Sequence, residues 1–201
     1  MLDPFYLICG SADLLERLVP LGVRTVQLRV KGLPQATLRD EVLRARAACA
    51  AHGATLILND HWQLALELEI GFVHLGQEDL DGADIPALRR AGVRFGLSTH
   101  DEAELDRALA LDPAYVALGP IWPTLLKKMK WGPQGLERIT EWKRRIGALP
   151  LVAIGGITPV RAPAVLAAGA DSAAVVTDIA TAADPVARCR EWLAATREEA
   201  R

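Results

Sequence analysis

Eight short runs rich in aliphatic and β-branched residues recur along this chain with helix-like segments between them, and that alternation constrains the fold more than any other feature. The runs are FYLIC (5–9), TVQLRV (25–30), TLILN (55–59), FVHLG (72–76), RFGLST (94–99), YVALG (115–119), LVAIGG (151–156) and AAVVT (173–177). Between them, residues 11–20, 35–52, 61–69, 84–91, 101–110, 134–146 and 159–168 carry Ala, Leu, Glu and Arg at helical spacing, and 185–197 closes the chain. Glycine or Asp-Pro often ends a helix before the next strand, as at Gly22, Gly53, Gly92, Asp112-Pro113 and Gly169. Strict alternation implies right-handed crossovers and a parallel sheet. Eight units fit a single compact (β/α)8 TIM barrel, with 201 residues at the small end of that architecture. The competing open sheet would carry a glycine-rich dinucleotide fingerprint after its first strand, and CGSADL is not one. No linker or low-complexity tract divides the chain, which predicts one domain over residues 1–201.

Composition narrows the function classes. With 51% hydrophobic residues the chain can bury one substantial core. A net charge of -2 predicts no nucleic-acid or membrane-surface partner. The longest uncharged runs, 113–126 and 147–160, stop at 14 residues and contain prolines, short of the roughly 18 that a membrane helix needs. The start, MLDPFYLICGSAD, lacks a basic segment followed by a long apolar one, so a cytoplasmic protein is expected. Cys9, Cys49 and Cys189 are odd in number and far apart, which reads as buried thiols rather than a disulfide framework or zinc site.

Residues 25–31, TVQLRVK, set Gln27, Arg29 and Lys31 at every second position with Val26, Leu28 and Val30 between them. Side chains alternate faces along a strand, so the apolar row faces the helices and the polar row lines the interior, rising toward the C-terminal mouth where barrel active sites lie. Two cations and an amide there suit a diphosphate plus a heterocycle. An interior ion pair would use the same residues.

Asn59-Asp60 ends the third run, and His74-Leu75-Gly76-Gln77-Glu78-Asp79 follows in the fourth. Neighbouring strands lie about 5 Å apart, so Asp60 and Asp79 can reach one hard cation, with magnesium the natural choice. Equally, Asn59-Asp60 fits a helix cap and residues 76–79 a turn. His74 reads as a hydrogen-bonded core residue or as a base. Ser98 sits where the fifth run reaches the mouth. The longest unpatterned connection, GPIWPTLLKKMKWGPQG (119–135), carries Thr124, Lys127, Lys128 and Lys130, as binding loops do. Gly155-Gly156 and Val176-Thr177 end the last two runs, where barrels often bind phosphate, although glycines there also serve tight turns.

Taken in order, QLRVK, LILND, VHLGQED, GLSTH, ALGPIWPT with Lys127, AIGGIT and AAVVT resemble the thiamine phosphate synthase family over nearly the whole chain. The resemblance implies a (β/α)8 barrel that condenses hydroxymethylpyrimidine diphosphate with hydroxyethylthiazole phosphate, releasing pyrophosphate, with Mg2+ as cofactor. It implies a pyrimidine diphosphate site at Gln27, Leu28, Arg29, Val30, Lys31, Asn59, Ser98 and Lys127, with Arg29, Lys31 and Lys127 acting on the leaving group. Asp60 and Asp79 correspond to the magnesium ligands, and Thr124, Gly156, Val176 and Thr177 to the thiazole phosphate site. Partners implied are small molecules, and a homo-oligomer is compatible with the pattern. Two departures stand out: Leu126 replaces a second loop threonine, and Asp178 replaces a small apolar residue, where a carboxylate would weaken phosphate binding unless it points away or is neutralised. A thiazole tautomerase would not need the diphosphate set, and a precursor-binding protein would have little use for a magnesium site.

Overall fold

The computed structural model describes residues 2–124 and 131–197. Eight parallel strands close into a barrel in the order β1 to β8, each paired with the next in sequence and β8 with β1. They are β1 (Phe5–Cys9), β2 (Thr25–Leu28), β3 (Thr55–Asn59), β4 (Phe72–Leu75), β5 (Arg94–Thr99), β6 (Tyr115–Leu118), β7 (Leu151–Ile154) and β8 (Ser172–Val175). The crossovers carry α1 (Ala12–Leu18), α2 (Gln35–Ala51), α3 (Trp62–Glu67), α4 (Gln77–Leu80), α5 (Ile85–Arg90), α6 (Glu102–Leu109), α7 (Gly135–Ile146), α8 (Ala162–Ala167), α9 (Thr177–Ala180) and α10 (Pro185–Arg197). The (β/α)8 expectation therefore holds.

Period-two alternation sorts the strand residues into two apolar layers. Leu7, Val26, Leu58, Leu97 and Val116 pack outward among the helices. Tyr6, Ile8, Ile57, Tyr115, Val152 and Ala174 fill the barrel. Side-chain caps start the helices where the sequence offers one: Ser11 accepts from Leu14 N–H, Asp84 from Ala87 N–H and Asp101 from Glu104 N–H. All three cysteines are free and buried, as expected. Among the described residues no helix is long and apolar enough to cross a membrane.

Two features differ from the sequence expectation. Several strands end one or two residues early, because the backbone leaves the ladder to build the mouth. Two further one-turn helices, α4 and α9, follow β4 and β8 directly. Four residues are too few to show a 3.6-residue period, so neither helix is visible as a pattern.

Candidate active site

The polar row of residues 25–31 divides as its spacing demands. Gln27 is buried inside the barrel, while Arg29 and Lys31 emerge exposed above it. Leu28 and Val30 are buried in the helix-facing layer. Val30 nonetheless borders the cavity at the mouth, next to Lys31 and Gly32. The Arg29 N–H continues the ladder by donating to the Cys9 carbonyl at 2.8 Å.

Asp60 follows β3 with φ at 62°, a left-handed conformation that aspartate tolerates better than most residues. Its N–H donates to the His74 carbonyl at 2.9 Å, tying the turn to β4. The helix-cap alternative does not describe this carboxylate: α3 starts from His61 and takes no side-chain cap. Instead Asp60 lies 3.6 Å from Lys31 Nζ and faces Asp79 on α4. Burial first, and the Asp79 charge second, push the Asp60 carboxyl above its ordinary value, against the opposing pull of Lys31 and Arg29. Gly76 makes room for this arrangement, since a Cβ there would stand 2.9 Å from Asp79 Oδ2. Lys31, Asp60, Glu78 and Asp79 border an open cavity of about 490 Å³ at the mouth.

Two facing carboxylates flanked by cations suit a hard divalent ion that keeps most of its shell for water and phosphate. Among the described residues no group of three or more His, Cys, Asp or Glu gathers at one point.

Asn59 and His74 pair in register and are both buried. His74 sits inside the barrel, bonded through Nδ1 to the Tyr115 hydroxyl at 2.7 Å and through Nε2 to Ser98 Oγ at 2.8 Å. Burial lowers its pKa to about 4, so the ring is neutral near pH 7. The Ser98 carbonyl accepts from Gln77 Nε2 at 2.7 Å, so α4 helps hold Ser98 at the mouth. Sequence reasoning does not single out Gln77, Tyr6 and Tyr115, whose partners stand 21 to 109 residues away along the chain.

Across the mouth, the long connection runs beside β7. Ile121 and Trp122 N–H groups donate to the Ile154 and Gly155 carbonyls, both at 3.0 Å. Gly155 and Gly156 adopt φ of 100° and 66°, and a Cβ on Gly156 would lie 2.7 Å from both Pro123 O and Trp122 Cβ. The glycine pair is thus needed for close packing of the loop that carries Thr124. The Trp131 ring stacks on His100 at 4.2 Å, and Gln134 Nε2 donates to the His100 carbonyl at 2.9 Å. Lys127 and Leu126 lie outside the described residues.

Val176 and Thr177 lead into α9 beside the end of β7. Asp178 does not point into this phosphate region as an unpaired charge. Its Oδ2 accepts from the buried Trp192 Nε1–H at 2.7 Å and lies 3.6 Å from Arg188 Nε. Asp178→Ala is therefore expected to cost about 1–2 kcal/mol of stability, from the orphaned indole N–H, with little change in KM for the thiazole phosphate that the sequence resemblance implies. Thermal melts alongside steady-state kinetics check this, and a large KM change with unaltered stability would contradict the structural role.

The sequence model of a family described as thiamine monophosphate synthase matches residues 5–179. A thiamine-phosphate synthase of Rhizobium etli is 65% identical over 195 residues, covering 97% of this chain and 96% of that protein. The chain belongs to the thiamine monophosphate synthase family. It is an enzyme chain of the transferase class. A second relative from this family, the thiamine-phosphate synthase of Neisseria meningitidis serogroup A, is 49% identical over 91% of this chain and 89% of its own. Among solved structures, a thiamine phosphate pyrophosphorylase from Pyrococcus furiosus superposes with a TM-score of 0.86, covering 98% of this chain and 96% of that one. At 23% identity, that likeness speaks for the shared barrel.

Proposed function

We propose that this member of the family joins 4-amino-2-methyl-5-hydroxymethylpyrimidine diphosphate to hydroxyethylthiazole phosphate, forming thiamine phosphate and pyrophosphate. The observation that carries the reading is the Asp60–Asp79 pair beside Lys31 and Arg29 at the cavity of the mouth. Magnesium, if bound there, would supply charge neutralisation for the departing diphosphate. Asp60 and Asp79 would hold the ion, leaving Arg29 and Lys31 to grip phosphate oxygens. Lys127, outside the described residues, is assigned to the same diphosphate by the sequence resemblance alone.

The C–O bond to the diphosphate breaks heterolytically, and pyrophosphate takes the electron pair. The aminopyrimidine ring delocalises the resulting methylene cation, held by Gln27, Asn59 and Ser98. The thiazole nitrogen lone pair then forms the new C–N bond while Thr124, Gly156, Val176 and Thr177 hold the thiazole phosphate. No protein nucleophile is consumed, so catalysis rests on positioning and charge stabilisation. The lowered pKa of His74 agrees with this, because a ring desolvated inside the barrel and near the Arg29 charge is a poor base. Substrates are small molecules, and the cytoplasm is the expected compartment.

The purified chain should form thiamine phosphate from the two substrates with magnesium, and a chelator should suppress the product strongly. Folded protein that binds both substrates without turnover would favour a binding protein. Turnover indifferent to chelation would remove Asp60 and Asp79 from the proposed metal site.

A further inference from the structure

Five side chains form a continuous hydrogen-bond line across the barrel interior. Gln27 Nε2 donates to the Tyr6 hydroxyl at 2.9 Å, and the Tyr6 and Tyr115 hydroxyls are 2.8 Å apart. Tyr115 then meets His74 Nδ1 at 2.7 Å, and His74 Nε2 meets Ser98 Oγ at 2.8 Å. Tyr6, Gln27, His74 and Tyr115 are buried, at 1%, 3%, 7% and 0% exposure, so water does not compete along the line.

Proton counting gives the line a direction. Each hydroxyl has one proton to donate. Tyr6 accepts from the Gln27 amide, so its own proton has a single acceptor among the described residues, the Tyr115 oxygen. The Tyr115 proton must then go to His74 Nδ1, which is left without a proton. The imidazole proton lies on Nε2 and is donated to Ser98 Oγ. Ser98 Oγ has no other partner among the described residues, so its proton is free to point out of the line toward the mouth. Protonation on both ring nitrogens would leave the Tyr115 proton with no acceptor, a costly fault at a fully buried site.

We propose that Gln27, Tyr6, Tyr115 and His74 form a one-way relay that fixes His74 as the Nε2–H tautomer and presents Ser98 to substrate as a hydrogen-bond donor. Tyr6, Tyr115 and His74 are positioning residues that act through Ser98. They select a heterocycle offering a ring-nitrogen lone pair and disfavour one presenting N–H at that place. The inference rests on the assignment of Ser98 to the pyrimidine diphosphate.

The direct test is 15N NMR of histidine-labelled wild-type protein, with His74 assigned through a His74→Asn variant. The expected spectrum shows a protonated Nε2 and a bare Nδ1. A protonated Nδ1 would overturn the relay, because the line would then run the other way, with Gln27 Oε1 accepting and Ser98 donating inward. Kinetics separate this from the site assignment. Tyr115→Phe, nearly isosteric, should raise KM for the pyrimidine diphosphate about tenfold with KM for the thiazole phosphate unchanged. In a Ser98→Ala background the same change should add little, since Tyr115 acts through Ser98. Equal effects in both backgrounds would overturn the coupling. Ser98→Ala without effect on the pyrimidine diphosphate would overturn the assignment of Ser98 itself, whatever the tautomer.

Discussion

Replacing Asp60 with asparagine is expected to lower kcat/KM by about a hundredfold or more while leaving the protein at least as heat-stable as the parent. The loss of activity follows from removing half of the proposed two-carboxylate metal site. The stability follows from the sign of the pKa shift. Asp60 is raised above its ordinary value by burial and by Asp79, so its ionised form is less welcome in the folded chain than in the unfolded one. That penalty is absent at low pH, grows as pH rises through the ordinary carboxylate range, and is in full force above the raised folded value. Asparagine removes the charge and accepts the φ of 62° at this position. Alanine is a poorer probe, since the left-handed backbone would cost it about 1 kcal/mol. Magnesium should raise the melting temperature of the parent and leave that of the variant nearly unmoved. Activity within threefold of the parent, or an undiminished magnesium shift in the variant, would remove Asp60 from the metal site.

Gly96→Ala should be the most damaging single-methyl change in the barrel, costing about 3 kcal/mol and lowering the melting temperature by roughly 10 °C. Gly96 pairs in register with Tyr115, and a Cβ there would clash with the phenol ring, 2.6 Å from Cε2 and nearer to Cζ and Cε1. The ring has no room to retreat. It is fully buried, bonded through its hydroxyl to Tyr6 and His74, and stacked on the His74 ring at 5.6 Å. Activity should fall together with stability, because displacing Tyr115 also releases His74 and Ser98. Denaturant unfolding with parallel kinetics tests this, and a stability change under 1 kcal/mol would mean that the interior is looser than its hydrogen bonds indicate.

Much of the site is visible in order along the chain. The alternation at Gln27, Arg29 and Lys31 works because strand geometry is local: a period of two assigns faces without knowledge of any partner. Asp60 and Asp79 are legible for a similar reason, since both follow the ends of consecutive strands. Glycine was less transparent. Gly76 looked like part of a turn, yet it clears space for Asp79, and Gly156 clears space for the Pro123 segment. Asp178 read as a hazard to a phosphate site because its partners, Arg188 and Trp192, come from α10 and leave no mark beside it in sequence.

The sequence by itself determined the barrel, the family, and the end of the barrel at which the polar groups collect, because these depend on residue spacing and on motifs read one segment at a time. Only the tertiary structure decided that Tyr6 and Tyr115, 109 residues apart, share a hydrogen bond, that His74 lies between Tyr115 and Ser98, and that Asp178 is neutralised. Those contacts exist only once the barrel has closed. A buried polar group must then find its partner among whatever side chains closure brings within about 3 Å, and no local pattern encodes that choice.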